Sequence, residues 1–396
     1  MTISRDARDT SSEQDEFSTS DSPSLRRRSV LVGGAAMVVG AGLLSPARAS
    51  AGTRDGAETT TGAGPNHLSP AQRVGQRVIW SYPGLTPPTA LFDAIRAGLV
   101  GGVIFFGENI DRSSRNQIQT VTRDLAQAQS DSGVGYPLLV MTDQEGGLVK
   151  RLGGAPSVSA RQMGARGGAF SAREGRRTAA NLRDAGINVD LAPVLDVGRP
   201  GGVIAETERS FGTTAARVKA TAVPFAKSLQ AGGVAATGKH FPGFGGAREN
   251  TDFAVERIDL SKAELRRVDE KPYAAFEAAG GELVMLSTAI YPAFSNDPAA
   301  FTRAIATGEL RDRLGFEGVT ITDALETPAV AHFGNTGKVA VAGARAGADL
   351  LLFARISPAE KAWKALVGGL RGGRLGRQEF EEAAQRVLDL RAGLRR

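Results

Sequence analysis

The chain has 396 residues, 41% of them apolar, with 48 Lys and Arg against 42 Asp and Glu and no cysteine. That is enough apolar material for one large core, and no second hydrophobic block argues for two full domains. The missing cysteines exclude disulfides, thiolate metal sites, a Cys nucleophile and a lipid-anchor Cys. The net charge of +6 is scattered, without basic runs or interleaved aromatics, which speaks against a nucleic-acid partner and for a solvated surface.

The first 25 residues are polar and non-periodic. Arg26, Arg27 and Arg28 then precede an apolar stretch from Val30 to Leu44 that closes on Ala47-Arg48-Ala49. A charged head, an apolar run too short to span a bilayer comfortably and a small-x-small close are the order of a cleaved signal peptide. Arg27-Arg28-Ser29-Val30-Leu31 resembles a twin-arginine export signal, which implies a bacterial, exported protein with no membrane anchor after processing. Residues 1–49 are read as this leader, the Gly/Thr/Ala-rich residues 50–67 as a flexible linker, and 68–396 as the folded part.

From there, short β-branched apolar runs alternate with longer amphipathic stretches. The runs are Arg77 to Trp80, Gly102 to Phe106, Leu138 to Thr142, Ile187 to Ala192, Val234 to Lys239, Leu283 to Ser287, Val319 to Thr322 and Leu350 to Phe353. Helical patterns lie between them over Asn116 to Gln129, Ala172 to Asp184, Ala215 to Gln230 and Ser261 to Ala278, the last opening on a Ser-x-x-Glu capping signal. Eight βα units predict an α/β fold, a TIM-like (β/α)8 barrel in a single domain, with its site at the C-terminal ends of the strands. A doubly wound dinucleotide fold is disfavoured, because no Gly-x-Gly-x-x-Gly turn follows the first strand.

Polar residues punctuate the predicted strand ends: Asp143 after the third, Asp196 after the fourth, Lys239 and His240 at the fifth, Asp323 after the seventh. Buried charges are costly unless paired or bound, so several on one rim point to a polar ligand site, although each taken singly reads equally well as a barrel-mouth salt bridge. Asp143-Gln144-Glu145-Gly146-Gly147 offers carboxylates that suit vicinal hydroxyls, or else a turn with one ion pair from Asp143 to Arg151. In Lys239-His240-Phe241-Pro242-Gly243 the adjacent cation and imidazole have little packing value and can donate to hydroxyls. Gly318 to Asp323 is an apolar strand delivering one carboxylate, the rigid mounting that a nucleophile in retaining glycoside cleavage needs. His67 and His332 read as structural; the three dispersed histidines show no ligand spacing, so neither a metal nor any other cofactor is expected.

Over roughly residues 68 to 396 these words, in this order, resemble family 3 glycoside hydrolases, in particular bacterial β-N-acetylhexosaminidases. Also matching are Gly101 to Phe106, Asn188 to Asp196, Glu208 to Gly212, Ile290-Tyr291-Pro292, Gly318 to Leu325 and Ala346 to Asp349. The resemblance implies that Asp323 is the nucleophile, that Asp143, Arg151, Arg209, Lys239 and His240 hold the sugar in the −1 subsite, and that the substrate is a terminal β-linked N-acetylglucosamine, often from peptidoglycan fragments or other envelope glycans. Family members of this type carry a loop ending in Asp-Ser/Thr-His, whose histidine is the acid/base. Here the triplet is Asn250-Thr251-Asp252. Asp252 is therefore expected to serve as acid/base if burial raises its pKa, held by Asn250, and a carboxylate there favours hydrolysis over phosphorolysis. The family's Gly-Gly-Arg is also Gly147-Leu148, with one cation fewer near the site.

The expectation is a monomeric retaining β-N-acetylhexosaminidase acting on a carbohydrate substrate. A β-glucosidase of the same family is the nearest rival, but the roughly forty residues after the eighth run are too few for its usual second sandwich domain. A catalytically silent glycan-binding protein is the rival from a different class.

Overall fold

A computed structural model describes residues 67–394. The expected leader and linker, His67 aside, lie outside the described residues. Eight parallel strands run in the order β10-β1-β2-β3-β6-β7-β8-β9. They are β1 (Val78–Trp80), β2 (Gly102–Phe105), β3 (Leu139–Thr142), β6 (Val189–Asp190), β7 (Ala235–Phe241), β8 (Leu283–Leu286), β9 (Val319–Thr322) and β10 (Leu351–Leu352). The barrel closes where Thr322 N donates to the Leu350 carbonyl at 3.0 Å and Leu325 N to that of Leu352 at 3.0 Å. All eight expected runs are strands, and the parallel TIM-like barrel is the observed architecture.

Alternation along each strand explains why the runs are predominantly apolar. Ile79, Ile104, Leu139, Met141, Val189, Leu191, Ala235, Leu283, Met285, Val319, Ile321, Leu350 and Leu352 form one buried cluster, the packed barrel interior. Their strand neighbours Val78, Trp80, Val103, Phe105, Val140, Val284, Leu286 and Leu351 face outward into the larger cluster under the helices. A parallel strand buried on both faces has no solvent-facing side to fill with polar residues.

The helices meet that outer layer with one face each. Arg115–Asp131 buries Ile118, Val121, Thr122, Leu125, Ala128 and Gln129, a three-and-four spacing. Gly168–Asp184 and Ala215–Ala231 pack so closely that a Cβ on Gly175 would stand 2.4 Å from the Phe225 carbonyl. In the stretch beginning at Ser261, the serine hydroxyl accepts from Glu264 N at 3.2 Å, as the capping signal predicts. After β10 the helices Ile356–Arg371 and Arg377–Gly393 complete the outer layer. Asp349, fully buried just before β10, takes Thr320 N at 2.8 Å and bridges Arg311 and Arg386 at 2.5 and 2.9 Å. The Ala346-to-Asp349 word is thus a structural clamp that holds the N-terminal ends of the strands.

One feature absent from the expected elements is an antiparallel hairpin, β4 (Gln144–Gly146) and β5 (Val149–Lys150), inserted directly after β3. Its hub is the buried Gln144: Nε2 donates to the Leu152 and Ala155 carbonyls at 3.0 and 2.8 Å, and Oε1 accepts from Arg151 N and Leu152 N. Gly146 sits at φ 96° with the Val158 carbonyl 2.3 Å from where a Cβ would be, so no other residue fits the bend.

Candidate active site

The C-terminal ends of the strands surround a cavity of 270 Å³, at the small end of ligand pockets. Asp143, Arg151, Arg209, Lys239, His240, Asn250, Thr251, Asp252 and Asp323 supply its polar wall, and Ile104, Phe106, Val149, Leu191, Met285 and Leu352 are among its apolar lining. Asp143, Arg151, Arg209, Lys239, His240, Asp252 and Asp323, the expected nucleophile, acid/base and sugar-binding residues, all line this one space, whereas Asp196 from the same rim does not. His67 and His332 do not; His67 Nε2 lies 3.3 Å from the Val134 carbonyl.

The floor is a buried ion network. Lys239 Nζ donates to Asp143 Oδ1 at 2.6 Å and stands 2.8 Å from Glu145 Oε1. Arg209 grips Glu145 with Nε and Nη2, both at 2.8 Å, and Arg151 Nη2 approaches Asp143 Oδ2 at 3.5 Å. Burial alone would raise both carboxyls, but Lys239 and Arg151 outweigh it at Asp143, and Arg209 and Lys239 do so at Glu145, so both are held below the ordinary carboxylate range. Lys239 is likewise raised, because Asp143 and Glu145 more than offset its desolvation. The pairing of Asp143 with Arg151 and its place in the site therefore coexist. Glu145, the second carboxylate of the same word, was given no site role by the sequence. Its position two after Asp143 in the same word was the available signal, but its partner Arg209 lies 64 residues on.

Lys239 and His240 are consecutive, and a regular strand would send them to opposite faces. Both line the cavity; the peptide between them is cis, and the register of β7 against β8 shifts between Gly238 and Phe241. His240 is held from behind by Asp196, whose Oδ2 is 2.8 Å from Nδ1 and whose Oδ1 accepts from His240 N and Phe244 N at 3.0 and 2.7 Å. Asp196, fully buried, is thus a support rather than a lining group. A carboxylate on Nδ1 leaves Nε2 as the ring atom free to meet a ligand.

Asp190, at the end of β6 beneath the network, is fully buried; burial pushes its carboxyl up to about 8. Its Oδ1 accepts from Gln144 N at 2.9 Å, tying the barrel to the hairpin.

Asp323 follows β9 and is anchored by its own N–H on the Leu286 carbonyl at 3.0 Å, while Oδ1 accepts from Ala324 N at 2.8 Å. Burial raises its carboxyl, His240 pulls it down and Asp252 pushes it up, with a net rise. Asn250 and Asp252 clasp each other: Asn250 Nδ2 donates to Asp252 Oδ2 at 2.9 Å, and Asp252 N donates to Asn250 Oδ1 at 3.1 Å. Asn250 thus holds Asp252, but Asp252 is exposed, not buried. The loop edge stands open to solvent while Thr251 points inward. Among the described residues no group of three His, Asp or Glu side chains could hold a metal ion.

Known proteins resemble this chain in sequence and in fold. A secreted glycosyl hydrolase of Arthroderma benhamiae is 42% identical over 332 residues, 82% of this chain and 94% of that one. Among solved structures, a family 3 β-N-acetylglucosaminidase from Paenibacillus sp. superposes with a TM-score of 0.78 at 32% identity, covering 83% of this chain. This chain spans 63% of that longer protein. A β-N-acetylhexosaminidase from Beutenbergia cavernae gives a TM-score of 0.75 at 33% identity, over 82% of this chain and 99% of its own. The model of the glycosyl hydrolase family 3 N-terminal domain matches residues 77–390, and the chain belongs to that family.

Proposed function

We propose that the protein is a retaining β-N-acetylhexosaminidase that releases terminal β-linked N-acetylglucosamine by hydrolysis. The observation that carries this reading is that Asp323 and Asp252 line one sugar-sized cavity over a floor of paired charges. The named activities of the Paenibacillus and Beutenbergia enzymes support it.

In this reading Asp143, Arg151, Arg209, Lys239 and His240 bind the sugar's hydroxyls. The network prepays the cost of burying those charges, so binding exchanges partners rather than creating bare ions. Asp323 attacks the anomeric carbon while Asp252 protonates the departing glycosidic oxygen, giving a glycosyl-aspartate. Asp252 then takes a proton from water as the water oxygen displaces Asp323. The lowered Asp143 and Glu145 carboxyls stay ionised as anchors, whereas the raised Asp323 becomes a competent nucleophile only once deprotonated.

The leader of residues 1–49 exports the protein from a bacterium by the twin-arginine route, the linker of 50–67 follows, and the barrel of 68–396 works as a monomer. The secreted Arthroderma relative supports export. Among the described residues no helix is long and apolar enough to cross a membrane. Envelope glycans, peptidoglycan among them, are one source of such sugar ends.

The test is release of a chromogenic aglycone from β-N-acetylglucosaminide and β-glucoside, with Asp323→Ala and Asp252→Ala beside the wild type. Both variants should lose turnover, and a better leaving group should rescue Asp252→Ala more than Asp323→Ala, because glycosylation then needs no acid. A wild type that cleaves neither glycoside favours the glycan-binding alternative, which the missing loop histidine motivates. Cleavage of the glucoside alone indicates a β-glucosidase. Sugar 1-phosphate as the main product in added phosphate overturns hydrolysis.

A further inference from the structure

The surplus positive charge is scattered along the sequence, but the fold gathers part of it in one place. Arg77, Arg303, Arg345 and Arg374 line a cavity of 290 Å³, together with residues from the end of helix Thr336–Ala346 and the start of helix Arg377–Gly393. Arg345 and Arg374 also line an adjoining cavity of 490 Å³, where Lys338 joins them. None of these residues lines the active-site cavity.

Basic side chains on a surface are ordinary where water offsets them. Arg77 is not such a case. It is 1% exposed, its Nε and Nη2 donate to the Asp349 and Ala348 carbonyls at 3.0 and 2.5 Å, and its guanidinium lies 4.0 Å from the centre of the Phe380 ring. Those oxygens are neutral, and Nη1 has no hydrogen-bond partner among the described residues. Burial pulls the group down to about 10, which the charge of Asp349 only partly offsets, so at pH 7 it is a cation short of counter-charge. The one carboxylate among the residues lining either cavity, Glu379, is already paired with Arg303 at 2.9 Å. Arg345, Arg374 and Lys338 are exposed, and their side chains have no hydrogen-bond or ion-pair partner among the described residues. Helix Arg377–Gly393 opens on the first cavity as well: its N-cap, Gly376, belongs to the lining and has no side chain to bond the N–H groups of the first turn, which leaves them available to an anion.

We infer that this groove is a second ligand site, which binds linear anions bearing several phosphates: one phosphate among Arg77, Arg345, Arg374 and the helix N-terminus, the next beside Lys338. Guanidinium forks match phosphate oxygens two at a time, and several of them converging match the charge of a phosphate better than that of a single carboxylate. Two joined cavities suit a chain rather than a lone ion. The inference is independent of the hydrolase reading, because the groove and the active-site cavity share no lining residue.

The test is calorimetric titration of the full chain with tripolyphosphate and with orthophosphate, in sodium chloride of matched ionic strength. Tripolyphosphate should bind about tenfold or more tighter. Arg345→Ala and Arg374→Ala should each weaken both anions by about tenfold, whereas Lys338→Ala should weaken tripolyphosphate by about threefold and leave orthophosphate unmoved. All three side chains are exposed, so the variants should fold; unchanged melting without phosphate checks this. Arg123→Ala, which removes an exposed arginine of helix Arg115–Asp131 that lines neither cavity, should bind as the wild type does. No binding of either anion at low salt, equal affinity for the two, or affinities unmoved by Arg345→Ala and Arg374→Ala overturns the inference. So does a loss in Arg123→Ala as large as that in Arg374→Ala, which would mark diffuse attraction to net charge instead of a site.

Discussion

Replacing Glu145 with alanine tests the cavity floor. Glu145 is 3% exposed and holds Arg209 through two bonds of 2.8 Å and Lys239 through a third contact of 2.8 Å. In Glu145→Ala, Lys239 keeps Asp143 at 2.6 Å, so the loss falls mainly on Arg209, whose side chain is only 13% exposed. Removing one partner of a buried pair costs about 3–5 kcal/mol, and the retained Lys239–Asp143 bond puts this case near the lower figure. At roughly 2 °C per kcal/mol for a domain of this size, melting should fall by about 6 °C at pH 7. Glu145→Gln keeps one acceptor for Arg209 and should lose about half as much. The assay is thermal and urea unfolding of both variants, with Arg209→Ala and the double variant to complete a cycle whose coupling should reach about 1.5–3 kcal/mol. A Glu145→Ala protein that melts within a degree of the wild type, or a cycle that is simply additive, would refute the claim that the floor is one coupled unit.

Three further outcomes follow from the same geometry. The Asp190 carboxyl is raised to about 8 when folded and titrates near 4 when unfolded, so its contribution to stability is fully present below about pH 4 and is lost as pH rises toward 8. Asp190→Asn, which cannot ionise, should therefore gain on the wild type by up to about 1.4 kcal/mol per pH unit across that window, and a constant difference in urea unfolding between pH 5 and 8 would contradict the protonated assignment. Because Asp252 raises the Asp323 carboxyl, Asp252→Asn should move the acid limb of kcat/KM to lower pH on a substrate with an activated leaving group; an unmoved limb means the two carboxylates do not interact. Asp349→Ala strands Arg311 and Arg386 at the bottom of the barrel and should cost about 3–5 kcal/mol in unfolding while leaving KM unchanged; a loss below about 1 kcal/mol argues against the clamp.

The barrel was legible because its signals are local. A strand buried on both faces is mostly apolar, and a helix on its flank must repeat every three to four residues, so run and period announce the eight barrel strands and the long helices wherever neighbouring residues alone set the pattern. The strand-end polar residues were legible for the same reason: Asp143, Lys239, His240 and Asp323 each interrupt an apolar run, and a charge there is costly without a purpose. The β4–β5 hairpin was not legible, because Gln144 builds it by bonding backbone atoms up to 11 residues away, which no periodicity records.

By itself, then, the chain's order of residues determined the parallel barrel, the rim on which chemistry collects and the family it belongs to. Only the folded molecule decided which charges meet. Arg209 reaches Glu145 across 64 residues and Lys239 reaches Asp143 across 96, and ion pairs depend on distances of a few ångströms that closure of the barrel alone creates. The same closure turned Asp196 into the support of His240 and buried Asp190 until it favours its proton. Burial is a property of the assembled surface, not of any residue in it.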